Sequence, residues 1–187
     1  MSGKGAARLF FALWPDAGVR GALDRLGRNL RTACGGRQMR PDTIHLTLVF
    51  LGNVDLARKD ALYAVAGKVR VPPFPMTLTI PGWWQHNRVA WAGPEITPEP
   101  LLSLVNQLQE GLRGEGFAFD DRPTYVPHVT LLRNARCEGM ELPPFAPLYW
   151  QAQDFVLVRS ITREEGAAYE VIGRWPLLRV LQEDDVF

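Results

Sequence analysis

Apolar residues along the chain alternate between strand-like runs and helix-like spacing. The run RLFFALW at residues 8–14 is typical of a buried strand, and a break at Pro15-Asp16 follows it. Apolar residues then recur at helical spacing, at Val19, Leu23, Leu26 and Leu30. The run TIHLTLVFL at residues 43–51 predicts a second strand, closed by Gly52-Asn53. A second amphipathic helix is predicted from Leu56 to Val69, before Pro72-Pro73.

The same order begins again after these prolines. Residues 74–80 and 88–93 predict strands around a Gly-Trp-Trp loop, and a third helix follows. The apolar positions of that helix are Leu101, Leu104, Val105, Leu108 and Leu112. A strand is predicted at HVTLLR, residues 128–133. The proline-rich residues 141–149 predict a connecting loop, and residues 154–161 and 169–177 predict two final strands joined by a charged turn.

Strand, helix and a strand that begins with histidine therefore occur twice in 187 residues. We expect an α+β fold with two similar lobes, each an antiparallel sheet with helices on its outer face. The lobes are expected to be related by a pseudo-twofold axis and to enclose a central groove. The whole chain, residues 1–187, is interpreted as one bilobed domain.

Two of the three histidines begin an HxT motif on a predicted strand. These are HLTL at residues 45–48 and HVTL at residues 128–131. Residues i and i+2 share one face of a strand, so His45 lies beside Thr47 and His128 beside Thr130. Each lobe thus presents an imidazole and a hydroxyl on a rigid element. An isolated strand histidine is usually structural, and the repetition of the motif is what favours a catalytic site.

A pair of imidazoles supplies what acid–base cleavage of a phosphodiester requires. The neutral ring takes a proton from the attacking water, and the protonated ring gives one to the leaving oxygen. Each threonine hydroxyl can stabilise charge on the phosphoryl oxygens. The sequence has no HExxH motif, carboxylate cluster beside the histidines or P-loop, so we predict no metal and no cofactor.

Composition and charge are those of an ordinary globular protein. The chain is 47% hydrophobic with a net charge of +1, which indicates neither a strong nucleic-acid binder nor an acidic tail but leaves room for a local basic cleft. The N-terminal apolar run is too short for a signal peptide, and no run approaches a membrane span. We therefore expect a cytoplasmic protein without membrane association. Cys34 and Cys137 lie far apart without metal-ligand spacing and are predicted to be reduced, buried thiols.

At these motifs the chain resembles the two-histidine phosphoesterases, and within them the RNA 2′,3′-cyclic phosphodiesterases once described as 2′-5′ RNA ligases. The resemblance spans nearly the whole chain, in the segments RLFFALWP, MRPDTIHLTLVFLGNV, RVAWAG, YVPHVTLLR and YEVIGRWPL. It implies metal-independent hydrolysis of a 2′,3′-cyclic phosphate to a 2′-phosphate, with catalysis by His45, Thr47, His128 and Thr130. It also implies His45 as the acid and His128 as the base, although the repeat alone leaves the reverse assignment open.

Three further residues are candidates for substrate binding. Arg133 and Arg40 match positions of the family pattern, and Phe11 could stack a base if it were not in the core. Strand alternation points Arg133 away from His128, so a bulge or strand end would have to redirect it. Val126 stands where many relatives have a basic residue. Trp83 and Trp84 either pack between the lobes or border the groove, and His86 is interpreted as an ordinary loop residue.

The expected partners are RNA ends or nucleoside 2′,3′-cyclic phosphates, and we expect a monomer. One alternative is a phosphoesterase that acts on another cyclic phosphate or a 2′-5′ linkage. The other is a non-catalytic module that binds cyclic-phosphate ends of RNA. A pure binder has no need of two proton-transfer groups, which favours an enzyme.

Overall fold

Strands and helices follow the predicted order in the computed structural model, which describes residues 5–163 and 166–178. The three helices are α1 (Ala17–Cys34), α2 (Lys59–Gly67) and α3 (Glu99–Gly114). The strands of the first half are β1 (Ala6–Leu13), β2 (Arg37–Gln38), β3 (Leu46–Asp55), β4 (Phe74–Leu78) and β5 (Ile80–Trp84). Those of the second half are β6 (Val89–Gly93), β7 (Val129–Arg133), β8 (Leu148–Ala152), β9 (Asp154–Arg163) and β10 (Gly166–Pro176). Within these described ranges no helix is long and apolar enough to cross a bilayer.

Local sequence signals explain where α1 begins and ends. The Asp16 carboxylate accepts a hydrogen bond from the Val19 amide at 2.8 Å, which caps one of the free amides at the helix start. The helix ends at Cys34, and the next residue, Gly35, has a φ of 62°, which glycine adopts readily. The predicted apolar positions Val19, Leu23, Leu26 and Leu30 all face the core. Periodicity therefore predicted both this helix and its buried face.

Eight of the strands form one antiparallel sheet in the order β10-β9-β1-β3-β7-β6-β5, with β2 beside β7. Strands β4 and β8 form a separate two-stranded sheet. The α+β class is confirmed, but the division into two similar sheets, one per lobe, is not what the structure has. The strands that carry the two HxT motifs pair with each other, at Leu46 and Val129, and so join both halves in one sheet.

The helices cross behind this junction. Helix α1 comes from the first half of the chain and packs against β7, whereas α3 comes from the second half and packs against β3. Apolar residues of all three helices belong to the same core cluster as Leu46, Leu48, Val129 and Leu131. Helices therefore cover one face of the sheet. The residues that alternate with these core residues along the HxT strands point their side chains to the opposite face.

Three short segments differ from the prediction. The Gly-Trp-Trp sequence lies within β5 rather than in a loop, and Gly82 pairs with Trp91 of β6, whose ring fills the space that a side chain at Gly82 would need. The end of the proline-rich segment forms β8, in which Leu148 pairs with Leu78. The strand β2 has two residues, which is too short for an alternation of apolar and polar residues to predict it. Residues 164–165 of the predicted charged turn lie outside the described residues.

Cys34 and Cys137 form a disulfide, so the prediction of two reduced thiols is wrong. Both residues are buried, as expected, and their Cα atoms lie 4.8 Å apart. They meet because α1 packs against β7, which brings the helix end next to the segment after that strand. The Arg136 amide also donates to the Cys34 carbonyl at 2.9 Å. Sequence spacing could not reveal this contact, because it depends on the crossing of the helix.

We predict that Cys34→Ser lowers the free energy of unfolding by about 2–4 kcal/mol, because the cross-link closes a loop of 103 residues and restricts the unfolded chain. Urea unfolding under oxidising conditions measures the change. The wild type in a strong reductant should lose a similar amount, and the double variant Cys34→Ser/Cys137→Ser should lose no more than the single one. Equal stability of Cys34→Ser and oxidised wild type would show that the bond does not restrict unfolding.

Candidate active site

The first HxT motif is held at the start of β3 by the turn before it. The Thr43 hydroxyl donates to the Arg40 carbonyl at 2.8 Å, which orders residues 40–43. The Thr43 carbonyl lies 2.7 Å from Nδ1 of His45, and Nε2 of His45 lies 3.1 Å from the Thr47 hydroxyl. A carbonyl only accepts, so Nδ1 carries the proton and the neutral ring presents Nε2 as an acceptor. The backbone therefore fixes both the tautomer and the direction of the ring.

The second motif repeats this arrangement at the start of β7. Nδ1 of His128 lies 2.8 Å from the Val126 carbonyl, again two residues before the histidine. This contact likewise places the proton on Nδ1 and leaves Nε2 for chemistry. His128 and Thr130 are both half-buried, as are His45 and Thr47. Both imidazoles thus have the same tautomer and the same kind of backbone support.

Both motifs open into one cleft of about 820 Å³ on the side of the sheet opposite the helices. Its polar lining includes His45, Thr47, His128, Thr130 and Arg133. The remaining lining mixes polar and aliphatic residues, including the acidic Asp120, with a group of aromatic and basic residues, namely Arg8, Phe10, Phe50, Trp84, Arg122, Tyr125 and Tyr169. The structure therefore brings together the four residues that the sequence predicted to be catalytic. A volume of this size is typical of pockets that bind small molecules.

Aromatic rings surround His45 and control its protonation. The ring centroids of Phe10, Tyr169 and Trp14 lie 4.8, 5.3 and 5.7 Å from that of His45. Burial among them disfavours the imidazolium and lowers the pKa of His45 from 6.5 to about 4, although the hydrogen bond to the Thr43 carbonyl opposes the change. The positive charge of Arg133 lowers this pKa further. His45 is therefore neutral in the empty cleft at neutral pH.

His128 has a related but separate environment. Trp84 contacts its ring edge-on at a centroid distance of 4.5 Å, and Trp91 lies at 6.3 Å. Burial lowers the pKa of His128 below 6.5, and the positive charges of Arg122 and Arg133 lower it further. Both imidazoles thus lie in a site that favours an incoming anion, because a negative charge would offset the loss of hydration.

A β-bulge explains how Arg133 reaches the cleft. Thr130 and Leu132 of β7 pair with the adjacent residues Trp91 and Ala90 of β6, so Leu131 is an extra residue in the ladder. Leu131 and Leu132 are both buried, and the alternation resumes with Arg133 on the cleft side. The bulge that strand alternation required is therefore present, and Arg133 lines the cleft together with both histidines.

Arg40 and Phe11 have other positions. Arg40 lines a smaller pocket beside the cleft, together with Arg133 and Tyr169, and its guanidinium donates to the Ala167 carbonyl at 3.0 Å. Phe11 is fully buried against Phe155 and Trp175, so the prediction that it binds substrate is wrong. It is the adjacent Phe10 that faces the cleft, because successive strand residues point to opposite faces.

The sequence did not predict the aromatic rings that surround His45, which are those of Phe10, Trp14 and Tyr169. Trp14 and Tyr169 come from distant parts of the chain, and only the pairing of β1 with β9 and of β9 with β10 brings them together. Trp84 lines the cleft, which is one of the two positions that the sequence left open for it, and His86 lines the cleft too, although the sequence indicated only an ordinary loop residue. The Tyr125 hydroxyl donates to the Thr47 carbonyl at 2.9 Å and links the segment before β7 to β3. The sequence feature that could have indicated this contact is the tyrosine three residues before His128.

Known proteins are similar to this chain in sequence and in fold. A sequence model of the family described as LigT like Phosphoesterase matches residues 13–91. The RNA 2′,3′-cyclic phosphodiesterase of Escherichia coli strain K12 is 34% identical over 172 residues, which cover 91% of this chain and 96% of that protein. A protein of the same name from Thermus thermophilus is 29% identical over 182 residues, covering 91% and 90% of the two chains.

Solved structures extend the likeness to the fold. The apo crystal structure of E. coli LigT matches with a TM-score of 0.85 at 33% identity, covering 94% of this chain and 100% of that one. Its complex with 3′-AMP matches with a TM-score of 0.83 at 34% identity, covering 92% and 98%. By class, therefore, the protein is a hydrolase that acts on phosphoesters. It belongs to the LigT-like phosphoesterase family.

We predict that the ring of His45 stays neutral down to about pH 4, because burial among aromatic rings disfavours its charged form. NMR titration of the histidine ring protons measures the transition. Phe10→Ala admits water to the ring and should raise the pKa towards 6.5. Phe11→Leu changes a side chain on the opposite face and serves as the control. An ordinary pKa of His45 in the wild type would show that the surrounding aromatic rings do not exclude water from it.

Proposed function

We propose that the protein hydrolyses 2′,3′-cyclic phosphate ends of RNA to 2′-phosphates without a metal ion or cofactor. The observation that carries the proposal is the presence of both HxT motifs in one cleft, each with Nδ1 fixed by a carbonyl and Nε2 available. Relatives named RNA 2′,3′-cyclic phosphodiesterase support the substrate class, as does the binding of 3′-AMP by E. coli LigT.

The reaction needs one base and one acid on opposite sides of the phosphorus. In our assignment, Nε2 of neutral His128 takes a proton from water as the water oxygen attacks phosphorus. The bond from phosphorus to the 3′ oxygen breaks, and the imidazolium of His45 gives the Nε2 proton to that oxygen. The product has a 2′-phosphate and a 3′-hydroxyl. Proton exchange with solvent then returns His128 to its neutral form and His45 to its protonated form.

The low pKa of His45 is consistent with the acid role once substrate is bound. An imidazolium with a depressed pKa gives up its proton readily, but little of it exists in the empty cleft at neutral pH. The anionic phosphate supplies the negative charge that raises this pKa and allows protonation. Substrate binding thus prepares the acid.

Thr47 changes its hydrogen bond when His45 is protonated. In the empty cleft Nε2 of His45 accepts from the Thr47 hydroxyl at 3.1 Å. Protonated Nε2 no longer accepts, so this hydroxyl becomes free to donate to a phosphoryl oxygen. We assign the same stabilising role to Thr130, and Arg133 offers a guanidinium that suits bidentate contact with phosphate.

Both halves of the chain contribute one motif each, and the helices cross from one half to the other. We therefore propose that the chain functions as one bilobed domain with a pseudo-twofold relation between the motifs. A single copy provides both proton-transfer groups, which favours a monomer as the active form.

The test is hydrolysis of adenosine 2′,3′-cyclic phosphate, with the phosphate position of the product determined by 31P NMR. We expect the 2′-phosphate, formed at the same rate in EDTA, because the imidazoles supply both proton transfers. His45→Ala and His128→Ala should each lower the rate roughly 10²–10⁴-fold. Thr47→Ala and Thr130→Ala should cost less, because each removes one neutral donor.

Three results would contradict this account. A 3′-phosphate product would mean that the bond from phosphorus to the 2′ oxygen breaks instead of the bond to the 3′ oxygen. Loss of activity in EDTA, with recovery on adding one divalent ion, would refute the acid–base mechanism. Binding of the cyclic nucleotide without any turnover would instead favour the non-catalytic alternative.

A substrate with an activated 3′ leaving group separates the two histidines. Such a group needs little protonation, so His45→Ala should recover most of its activity with it, whereas His128→Ala should not. Rescue of His128→Ala alone would reverse the assignment. For the wild type, a plot of kcat/KM against pH should be bell-shaped.

The direction of the pH dependence follows from the two lowered pKa values. The acid must be protonated, so the fraction of active enzyme decreases as the pH rises through the pKa of His45. The base must be neutral, so this fraction also decreases as the pH drops through the pKa of His128. Both pKa values lie below 6.5 in the empty cleft, so both limbs should as well. The limbs of kcat should lie higher, because bound phosphate favours both charged forms.

A further inference from the structure

Trp14 lies opposite His45 because of the register between β1 and β3. The last pair of this ladder joins Leu13 to Leu46. In an antiparallel ladder the next residues on the two chains are Trp14 and His45, and opposed residues place their side chains on the same face of the sheet. The two rings are stacked, with centroids 5.7 Å apart and planes inclined by 15°. Trp14 therefore presents its π face to the imidazole.

The backbone on both sides of Trp14 is held in place. The residues before it belong to β1, and those after it lead into α1. The Asp16 carboxylate caps that helix, and the Arg20 guanidinium donates to the Pro15 carbonyl at 2.9 Å. The indole is half-buried. It therefore has a fixed place beside His45 before any ligand binds.

The three rings around His45 differ in the way they face it. The plane of Tyr169 is at 87° to the imidazole, that of Phe10 is tilted by 34°, and that of Trp14 is nearly parallel at 15°. The face of an aromatic ring attracts a cation within about 6 Å of its centroid, and indole does so most strongly. Trp14 therefore has both the ring type and the orientation that favour the imidazolium, although burial among the three rings disfavours it.

Positive and titratable side chains face His45 from the neighbouring strands. Arg133 and His128 of β7 both lower its pKa through their positive charge. Arg8 of β1 and Tyr169 of β10 also line the cleft. None of these four residues is a carboxylate, so none of them offsets the cost of charging a buried imidazole.

Two carboxylates of the surrounding segments are already paired with arginines. An oxygen of Asp42, in the turn before β3, lies 3.3 Å from Nε of Arg40, and an oxygen of Asp120 in the cleft lining lies 2.9 Å from Nη2 of Arg122. A carboxylate next to His45 would raise the pKa of the imidazole but would also repel an anionic substrate. A π face attracts the imidazolium and has no net charge.

We propose that Trp14 is a positioning residue for the acid, because its indole face stabilises the imidazolium of His45 through a cation–π contact. The catalytic part of this inference rests on the proposed function, which treats His45 as the acid. The contact offsets part of the cost of burial. It does so without accepting the proton on Nε2, which stays available for the leaving oxygen.

The experiment replaces Trp14 alone, by nonsense suppression, with tryptophan that carries one, two or three fluorine atoms on its six-membered ring. Each fluorine withdraws electron density from the π face and leaves the size of the ring nearly unchanged. NMR titration of the His45 ring protons should therefore give a pKa that falls with each fluorine. The proton-binding constant of His45 should decrease about 3–10-fold over the series.

Trp150 provides the matched control. It is buried in β8, on the separate two-stranded sheet, and does not line the cleft. Fluorination of Trp150 should leave the pKa of His45 unchanged. An unchanged pKa along the Trp14 series would overturn the proposal, because the indole would then act only by excluding water. An equal fall in both series would also overturn it, because the effect would not depend on stacking.

Catalysis separates this inference from the proposed reaction. On adenosine 2′,3′-cyclic phosphate at neutral pH, kcat/KM should fall along the Trp14 series, because the loss of protonated His45 outweighs the greater acidity of the imidazolium that remains. The substrate with an activated 3′ leaving group needs little acid, so its kcat/KM should change less.

The two hypotheses can therefore fail independently. If the pKa of His45 falls along the Trp14 series while the wild type does not hydrolyse the cyclic phosphate, the proposed reaction fails and the cation–π contact stands. If the wild type forms the 2′-phosphate but the pKa stays constant along the series, the reaction stands and the inference about Trp14 is wrong.

Discussion

The pairing of Leu46 with Val129 is the contact on which the site depends. It joins β3 to β7 and thereby joins the two halves of the eight-stranded sheet. Because the strands run antiparallel, His45 and Thr130 lie at one end of the pair and Thr47 and His128 at the other. Two motifs that are far apart in sequence thus become one site, and the helices that cross behind each strand hold the junction in place.

The same packing that positions the histidines also makes their charged forms costly. Three aromatic rings contact His45 and two contact His128, so neither readily takes a proton in the empty cleft. Carbonyl groups fix both rings with Nε2 free. A phosphate would supply the missing negative charge and would find fixed donors already in place. Rigid support and unfavourable burial therefore act together to favour an anionic ligand.

Strand alternation predicted the HxT pairs correctly because it is a local property, and it failed where pairing between strands decides the outcome. Arg133 reaches the cleft only through an extra residue at Leu131, and a bulge has no signal in an apolar run such as TLLR. Phe10 and Phe11 are identical in type, so register alone assigns one to the cleft and the other to the core. The Cys34–Cys137 disulfide likewise depends on α1 packing against β7.

A repeated scaffold must differ between its halves to hold an asymmetric ligand. The motifs, the carbonyl contacts and the bulges all repeat, so the backbone alone would offer two equal ends. The side chains five residues after each histidine break this equality, because Arg133 follows His128 and suits an anion, whereas Phe50 follows His45 and is an aromatic ring. The difference between these two positions therefore makes the two ends of the cleft chemically unlike, although the backbone around them repeats.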